Sequence, residues 1–317
     1  MTKISLAPLQ GFTNYHFRNA FVKCFSGVDK FYSPWIRYDG KGEIKKSQIR
    51  DVDPVNNTGI DLIPQIMCKD TKDFVNLSKY LENLGYSEVN WNLGCPYPMV
   101  TKRGYGSSLL TKPELITQIL EESLPQINAK VGLKMRLGFQ YPEEIQKLLP
   151  LLDQFPLSEI IIHARTADQM YKGKVLFDKY LETVPFTKHS VVYNGDITNV
   201  EFYSKFVGQS PNIKGLMIGR GLISNPFLAE QIKQGESFDQ SNIVSRFEEF
   251  HSLLLESYSA HLSGDKHILI AMKAYWDFFS RSFDYPNKVY KLIKKSKDLN
   301  AYNASIKAIF RDYHLKI

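Results

Sequence analysis

The chain has 317 residues, 43% of them hydrophobic and 23% charged, with 40 Lys and Arg against 33 Asp and Glu and a formal net charge of +7. That describes a globular protein large enough for one big α/β domain and a smaller one, and the basic excess favours a polyanionic partner such as RNA, at a level many enzymes reach without one. Three widely spaced cysteines without a CxxC pair exclude a disulfide framework and a zinc ribbon, and no apolar run approaches the roughly 20 residues a membrane span needs, so a cytoplasmic protein with no membrane contact is expected.

Short apolar runs bounded by turn residues recur at 4–8, 30–36, 61–67, 88–93, 131–136, 159–164, 190–194 and 215–219. Segments of helical periodicity lie between most of them, among them 73–84, 113–124, 143–155 and 200–206. Strand and helix alternating eight times predict an α/β fold of the (β/α)8 TIM-barrel type. An open doubly wound sheet is disfavoured, because no Gly-x-Gly-x-x-Gly follows the first strand. The polar stretch 38–59 reads as the longest irregular segment of the barrel. After about Gly235 the strands stop, and 242–262, 266–283, 287–297 and 301–313 read as helices, with Pro286 marking a stop and restart. The predicted domains are a barrel at 1–238 and a helical bundle at 239–317. Lys288, Lys291, Lys294, Lys295 and Lys297 crowd one short helix of that bundle. Such a run is most often a solvated face, and it is also the best candidate here for a phosphate-contacting surface.

Working residues of such barrels sit at the C-terminal ends of the strands. In chain order those ends supply Pro8-Leu9-Gln10, Arg37, Gln65, Asn92 with Cys95, Lys134 with Arg136, His163 with Arg165, Asn194-Gly195-Asp196 and Gly219-Arg220-Gly221. Polar or glycine residues at all eight ends exceed what alternating buried aliphatics require. The last two, each opening toward a helix, offer free backbone N–H groups to a phosphate at the barrel's usual phosphate position, and Arg220 adds a charged donor. Lys134 lies in an apolar run, where its charge needs compensation. It suits the carbonyl edge of a flavin, with pairing to a core carboxylate as the alternative. Gln65 and His163 add hydrogen bonds suited to a planar heterocycle. Cys95 leaves a strand end in a loop stiffened by Pro96 and Pro98 and loosened by Gly94, Gly104 and Gly106. There a thiol can meet a substrate, although a buried structural cysteine is the commoner fate. The seven histidines show no ligand spacing such as HExxH, so no metal site is expected.

These strand ends, taken with Leu6 to Thr13, Phe17-Arg18, Asn92-Leu-Gly-Cys-Pro96, Gly106 to Leu110, Lys134 to Gly138, His163-Ala-Arg-Thr166, Asn194 to Ile197 and Met217 to Gly221, resemble the tRNA-dihydrouridine synthase family across the whole barrel. The family's barrel binds FMN, its helical tail grips tRNA, and its reaction reduces the uracil 5,6 double bond. The resemblance implies that Pro8, Leu9, Gln10, Gln65, Lys134, His163, Asn194, Gly195, Asp196, Gly219 and Arg220 hold FMN. It implies that Cys95 is the catalytic acid and that Asn92, Arg165 and Tyr171 lie by the target base. The tail is most similar to the C-type subgroup through Trp35-Ile-Arg37, Met272-Lys273 and Lys294-Lys295, a resemblance that leans toward a D-loop uridine at position 16, but Ala271 stands where that subgroup carries an arginine, which leaves the position open.

The chemistry of the residues agrees. Hydride addition at C6 leaves an enolate-like carbanion at C5, which a thiol that is mostly protonated at neutral pH can protonate. The base must leave its stack, which costs least in a loop of structured RNA. Arg37, Lys273, Lys291, Lys294 and Lys295 are the candidate phosphate or sugar contacts. With no Rossmann-type domain, NADPH, or NADH as second choice, is expected to use the same barrel mouth, giving ping-pong kinetics. No obligate protein partner is evident and a monomer is expected. Two rivals remain: an FMN barrel oxidoreductase acting on a free pyrimidine, which leaves the basic tail unexplained, and a non-catalytic RNA-binding protein, which has no need of Cys95, Lys134 and two phosphate loops together.

Overall fold

The computed structural model describes residues 2–209 and 215–317, with a parallel sheet closed into a barrel at its centre. The strands are β1 (Lys3–Leu6), β2 (Lys30–Tyr32), β3 (Leu62–Ile63), β4 (Gln65–Ile66), β5 (Glu88–Leu93), β6 (Lys130–Gly138), β7 (Leu157–Thr166), β8 (Val191–Asn194) and β9 (Gly215–Ile218). They follow the order β3-β2-β1-β9-β8-β7-β6-β5-β4. Eight predicted strands become nine because Pro64 splits the third. Proline has no N–H to give to a ladder, so β3 pairs with β2 and β4 with β5, while the Pro64 carbonyl still accepts from Asn90 N at 2.9 Å. The two halves fill one strand position. The barrel therefore has the eight positions that the spacing predicts, filled inside by Ala7, Tyr32, Ile63, Ile161, Val192 and Met217.

Around and between the strands run α1 (Tyr15–Cys24), α2 (Lys46–Val52), α3 (Thr71–Asn83), α4 (Pro98–Thr101), α5 (Pro113–Ser123), α6 (Glu144–Leu152), α7 (Phe177–Thr183), α8 (Val200–Gln209), α9 (Arg220–Ser224) and α10 (Leu228–Gln234). Local chemistry sets several starts: the Asp70 carboxylate accepts from Asp73 N at 2.9 Å to cap α3, and Pro113 opens α5 where its missing N–H costs nothing. The stretch 38–59 corrects the expectation of an irregular loop, since α2 and a 3-10 turn at Pro54–Asn57 lie within it. Their organiser is distant in sequence. Arg18 of α1 is fully buried and donates to the Asp51 carboxylate at 3.2 Å, the Asp51 carbonyl at 2.6 Å and Asn57 Oδ1 at 2.8 Å.

The tail forms α11 (Ile243–His261), α12 (Asp265–Phe279), α13 (Pro286–Lys295) and α14 (Leu299–Asp312), the four helices that the sequence predicts. It is a separate stretch of chain without a separate core. One hydrophobic cluster runs from the barrel's outer face into it, with Phe25 packing against Phe250 at 5.1 Å and Phe17 stacked on Tyr275 at 5.8 Å between ring centroids. Aromatic pairs at these spacings add to burial. The Tyr275 hydroxyl donates to the Phe12 carbonyl at 2.5 Å and Asn14 Nδ2 to the Tyr258 hydroxyl at 2.9 Å, so the bundle is pinned beside the loop leaving β1. Among the described residues no helix is long and apolar enough to cross a membrane.

Candidate active site

Two adjoining cavities open at the C-terminal face of the barrel, of about 780 and 530 Å³, both lined by Pro8, Leu9, Lys134, His163, Tyr171, Arg220 and Arg281. They make one cleft with two ends. The larger end holds Asn194, Gly195, Asp196, Gly219 and Gly221, and the smaller holds Gln10, Asn92, Cys95, Tyr97 and Arg136. Ten of the residues that the sequence assigns to cofactor, with Asn92, Cys95 and Tyr171, therefore face one space.

The smaller end is organised around Cys95. The loop leaves β5 with Asn92 Oδ1 accepting from Gly94 N at 3.1 Å and from Cys95 N at 2.9 Å. Ser107 grips the Cys95 carbonyl through its N–H at 3.1 Å and its hydroxyl at 2.9 Å, while Arg136 Nε donates to the Gly94 carbonyl at 2.9 Å. Gly106 is required at the crossing: its φ is +62°, and a Cβ there would lie 2.7 Å from the Cys95 carbonyl oxygen. Cys95 keeps 9% exposure into the cleft. Burial pushes its thiol up, against the opposing effects of the Tyr97 N–H and the cations of Arg136, Lys134 and Arg37. A raised thiol stays protonated at neutral pH and is a proton donor rather than a nucleophile.

Lys134 stands at the junction. Among the described residues its ammonium has one hydrogen-bond partner, Asn194 Oδ1 at 2.9 Å, and Asn194 Nδ2 in turn donates to the Met217 carbonyl at 2.7 Å. No carboxylate pairs with it among the described residues, against the alternative of a core ion pair. Burial first, and then Arg136, bring the ammonium down to about 7. Burial, reinforced by Arg136, Lys134, Arg165 and Arg220, lowers His163 well below its usual range, so its ring is neutral. Neutral His163, the Asn194 amide and a lysine lacking an anion suit a flat polar heterocycle that can take negative charge.

The larger end suits an anion. Gly195 has a φ of +148°, and a Cβ on it would come within 3.0 Å of Val175; a Cβ on Gly221 would sit 2.0 Å from the Ile197 carbonyl oxygen. The loops after β8 and β9 therefore pack backbone to backbone with no side chain between them. Arg220 donates to the Asp196 carboxylate at 2.6 Å and lies over the Tyr171 ring at 5.0 Å, with Arg136 over the same ring at 5.2 Å. Arg165 and then Arg220 hold Asp196 low, against its burial, so this carboxylate spends its charge on arginines. Asp196 positions donors rather than meeting an anion itself.

Three expected roles are relocated. Arg165, 1% exposed, lines neither cavity: it reaches the Asp196 carboxylate and the Gly173 carbonyl at 2.7 Å and lies 3.3 Å from His163 Nε2, so in this structure it props Asp196 from behind the cleft wall. Gln65 is wholly buried one layer down, donating to Asn90 Oδ1 at 2.8 Å and accepting from Asn92 Nδ2 at 2.7 Å, and so reaches the cleft only through Asn92. Lys273 donates to the carbonyls of Lys294 at 3.2 Å and of Ser296, closing the end of α13, where a cation complements the helix dipole. Lys291, Lys294 and Lys295 are exposed on α13, and Arg37 lies over Trp35 and Tyr105, each at 5.4 Å. The sequence reading missed Phe12, Trp35 and Tyr97, and it missed the tail's own contribution of Phe278, Arg281, Ser282 and Lys316. Only the folded docking of the bundle brings the last four to the barrel mouth.

A parallel barrel with a polar cleft at the C-terminal ends of its strands, a backbone-clamped thiol and two closely packed glycine loops defines a TIM-barrel enzyme. The family model described as Dihydrouridine synthase (Dus) matches residues 5–311, and the chain belongs to that family. It is similar to the tRNA-dihydrouridine(16) synthase of Cupriavidus necator, 26% identical over 240 residues that cover 74% of each chain. The tRNA-dihydrouridine(16) synthase of Neisseria meningitidis serogroup A is 23% identical over 325 residues, 96% of each chain, and so spans the helical tail as well. In fold it is similar to the old yellow enzyme from Trypanosoma cruzi, with a TM-score of 0.54 at 11% identity, covering 82% of this chain and 94% of that one.

Proposed function

We propose that the protein reduces a uridine of tRNA to 5,6-dihydrouridine, with FMN in the cleft and NADPH, or NADH as second choice, as electron donor. The observation that carries this reading is the placement of a protonated, backbone-clamped Cys95 at one end of a cleft whose other end suits a flavin and its phosphate. Lys134, Asn194 and His163 would hold the ring, and the loops at Gly195 and at Gly219 to Gly221 with Arg220 would hold the phosphate. When bound, the reduced flavin supplies hydride to C6 of uracil. Cys95 then gives its proton to C5, and Arg136, Lys134 and Arg37 stabilise the thiolate until it is reprotonated. Phe12 and Trp35 from the barrel and Phe278 from the tail give the smaller end apolar walls, which can receive an unstacked base. The exposed lysines of α13 would meet RNA phosphates, and one mouth serving donor and substrate would give ping-pong kinetics.

The test measures uracil reduction on unmodified tRNA beside free uridine, using purified protein with its flavin content determined. Turnover on tRNA with a yellow, FMN-loaded protein is expected. Turnover on free uridine at equal efficiency, or a colourless protein that takes up no FMN, overturns the reading. Dihydrouridine mapping in tRNA from a strain lacking the gene identifies the position; the D-loop uridine 16 is our proposal, in keeping with the names of both relatives.

A further inference from the structure

The anion end of the cleft is not a barrel feature alone. Arg281, Ser282 and Lys316, all from the tail, line it together with Gly195 and Gly219. Three contacts fix this tail lining. The Ser282 hydroxyl donates to the Ser224 carbonyl, at the end of the short helix that begins at Arg220. Lys316 N donates to the Ser282 carbonyl at 2.6 Å, and Phe283 bridges Leu315 in antiparallel fashion. The lysine is therefore stitched to the turn after α12, which is itself stapled to the second phosphate loop.

Charge gives this lining a task. The charged side chains that the barrel brings to the larger cavity are Lys134 and Arg220 against Asp196 and Glu201, two cations balanced by two carboxylates. With Arg220 committed to Asp196 at 2.6 Å and the Lys134 ammonium brought down to about 7 by burial, the barrel's share carries no positive excess. A phosphate monoester carries about −1.5 to −2 at neutral pH. Arg281 and Lys316 are the charged side chains that the tail adds, and both are cations. Arg281 pairs with Asp277 at 3.2 Å outside this cavity, and Lys316 forms no ion pair with a carboxylate in the described residues.

We propose that Lys316, assisted by Arg281, is part of the cofactor phosphate site, so that the helical tail completes FMN binding as well as holding RNA. This rests on the FMN reading above. The ligand chemistry is a terminal phosphate monoester, which riboflavin lacks. A phosphate of the RNA backbone is the competing source of charge, and the test separates the two.

The experiment strips the flavin and titrates the apoprotein with FMN and with riboflavin, following flavin fluorescence. Wild type is compared with Lys316→Ala, Lys316→Arg and Arg281→Ala, and a thermal melt of each apoprotein checks folding. In Lys316→Ala the FMN dissociation constant should rise about threefold to tenfold, as for loss of an exposed charged contact, with riboflavin affinity unchanged and most of the loss restored in Lys316→Arg. Arg281→Ala should act in the same direction. Equal changes for FMN and riboflavin, or none for either, overturn the proposal. So does a loss of tRNA affinity at saturating FMN with the preference for FMN over riboflavin intact, which assigns Lys316 to the RNA. Failure of wild type to bind FMN at all is a different result: it removes the FMN reading itself.

Discussion

The barrel mouth and the basic face of α13 both present lysines, and they use charge in opposite ways. Lys134 is set in the cleft wall with a single amide partner, and burial has already brought its ammonium down to about 7. Lys291, Lys294 and Lys295 stand in water, and no carboxylate pairs with them in the described residues; Lys294 lies over the Tyr290 ring at 5.4 Å. A desolvated cation is specific and costly, because it waits for one anion of fixed shape. Solvated cations are cheap and interchangeable, and they act on a polyanion through their sum. The mouth should therefore respond to single substitutions with large, qualitatively distinct losses, whereas the tail should respond gradually and to salt.

The largest effect is expected at Cys95. Cys95→Ala should retain flavin and tRNA while turnover falls by about 10² to 10⁴, the usual value of a positioned acid. Near-normal turnover would mean that another group protonates C5, and the mouth would lose its claim to specificity.

Next comes Lys134. Its folded pKa lies below that of an ordinary lysine, so between about pH 7 and the usual lysine range the unfolded chain binds more protons. Stability of the flavin-free protein should therefore rise with pH across that window. Lys134→Met should abolish the rise and stabilise the apoprotein at neutral pH by on the order of 2 kcal/mol, while FMN affinity drops roughly tenfold or more. Urea midpoints measured against pH check the first part and flavin titration the second. A pH-independent wild type would show that Lys134 is already satisfied.

Asp196→Asn should cost stability rather than chemistry. It leaves the Arg165 guanidinium buried without its carboxylate, a loss of about 3 kcal/mol for a broken buried pair, visible as a lower urea midpoint. Unchanged stability would argue against Arg165 as the prop beneath the anion loop.

The contrast between mouth and tail also explains what could be read from the sequence. Strand ends announce themselves, because polar residues at Gln10, Lys134, His163 and Asn194 interrupt apolar runs at positions that the barrel topology makes equivalent. Contacts made across long chain separations leave no such mark. Arg165 and His163 sit two residues apart on one strand and read alike, yet the carboxylate of Asp196, 31 residues further on, draws the arginine under the loop. Lys273 reads as one more tail cation until α13 folds back and puts the carbonyls of Lys294 and Ser296 in its reach. Likewise α2 owes its place to Arg18, and Lys316 reaches the cleft only through Ser282. Periodicity sees neighbours along a helix or strand, and these partners are neighbours only in space.

The smallest effect per residue is expected on α13. Each of Lys291→Ala, Lys294→Ala and Lys295→Ala should weaken tRNA binding modestly and lower the slope of log K against log salt by about 0.7 to 0.9 where a phosphate contact is lost. FMN content should stay constant, because none of the three reaches the cleft. The triple variant should flatten the slope by roughly the sum, as independent solvated charges do, unlike the large loss from one substitution expected at Cys95. Filter binding from low to physiological salt measures this directly. A triple variant that binds tRNA like wild type at every salt concentration would reduce this face to ordinary solvated surface. The grip on the RNA would then fall to cations elsewhere on the molecule, with Arg37 the remaining candidate that the sequence names.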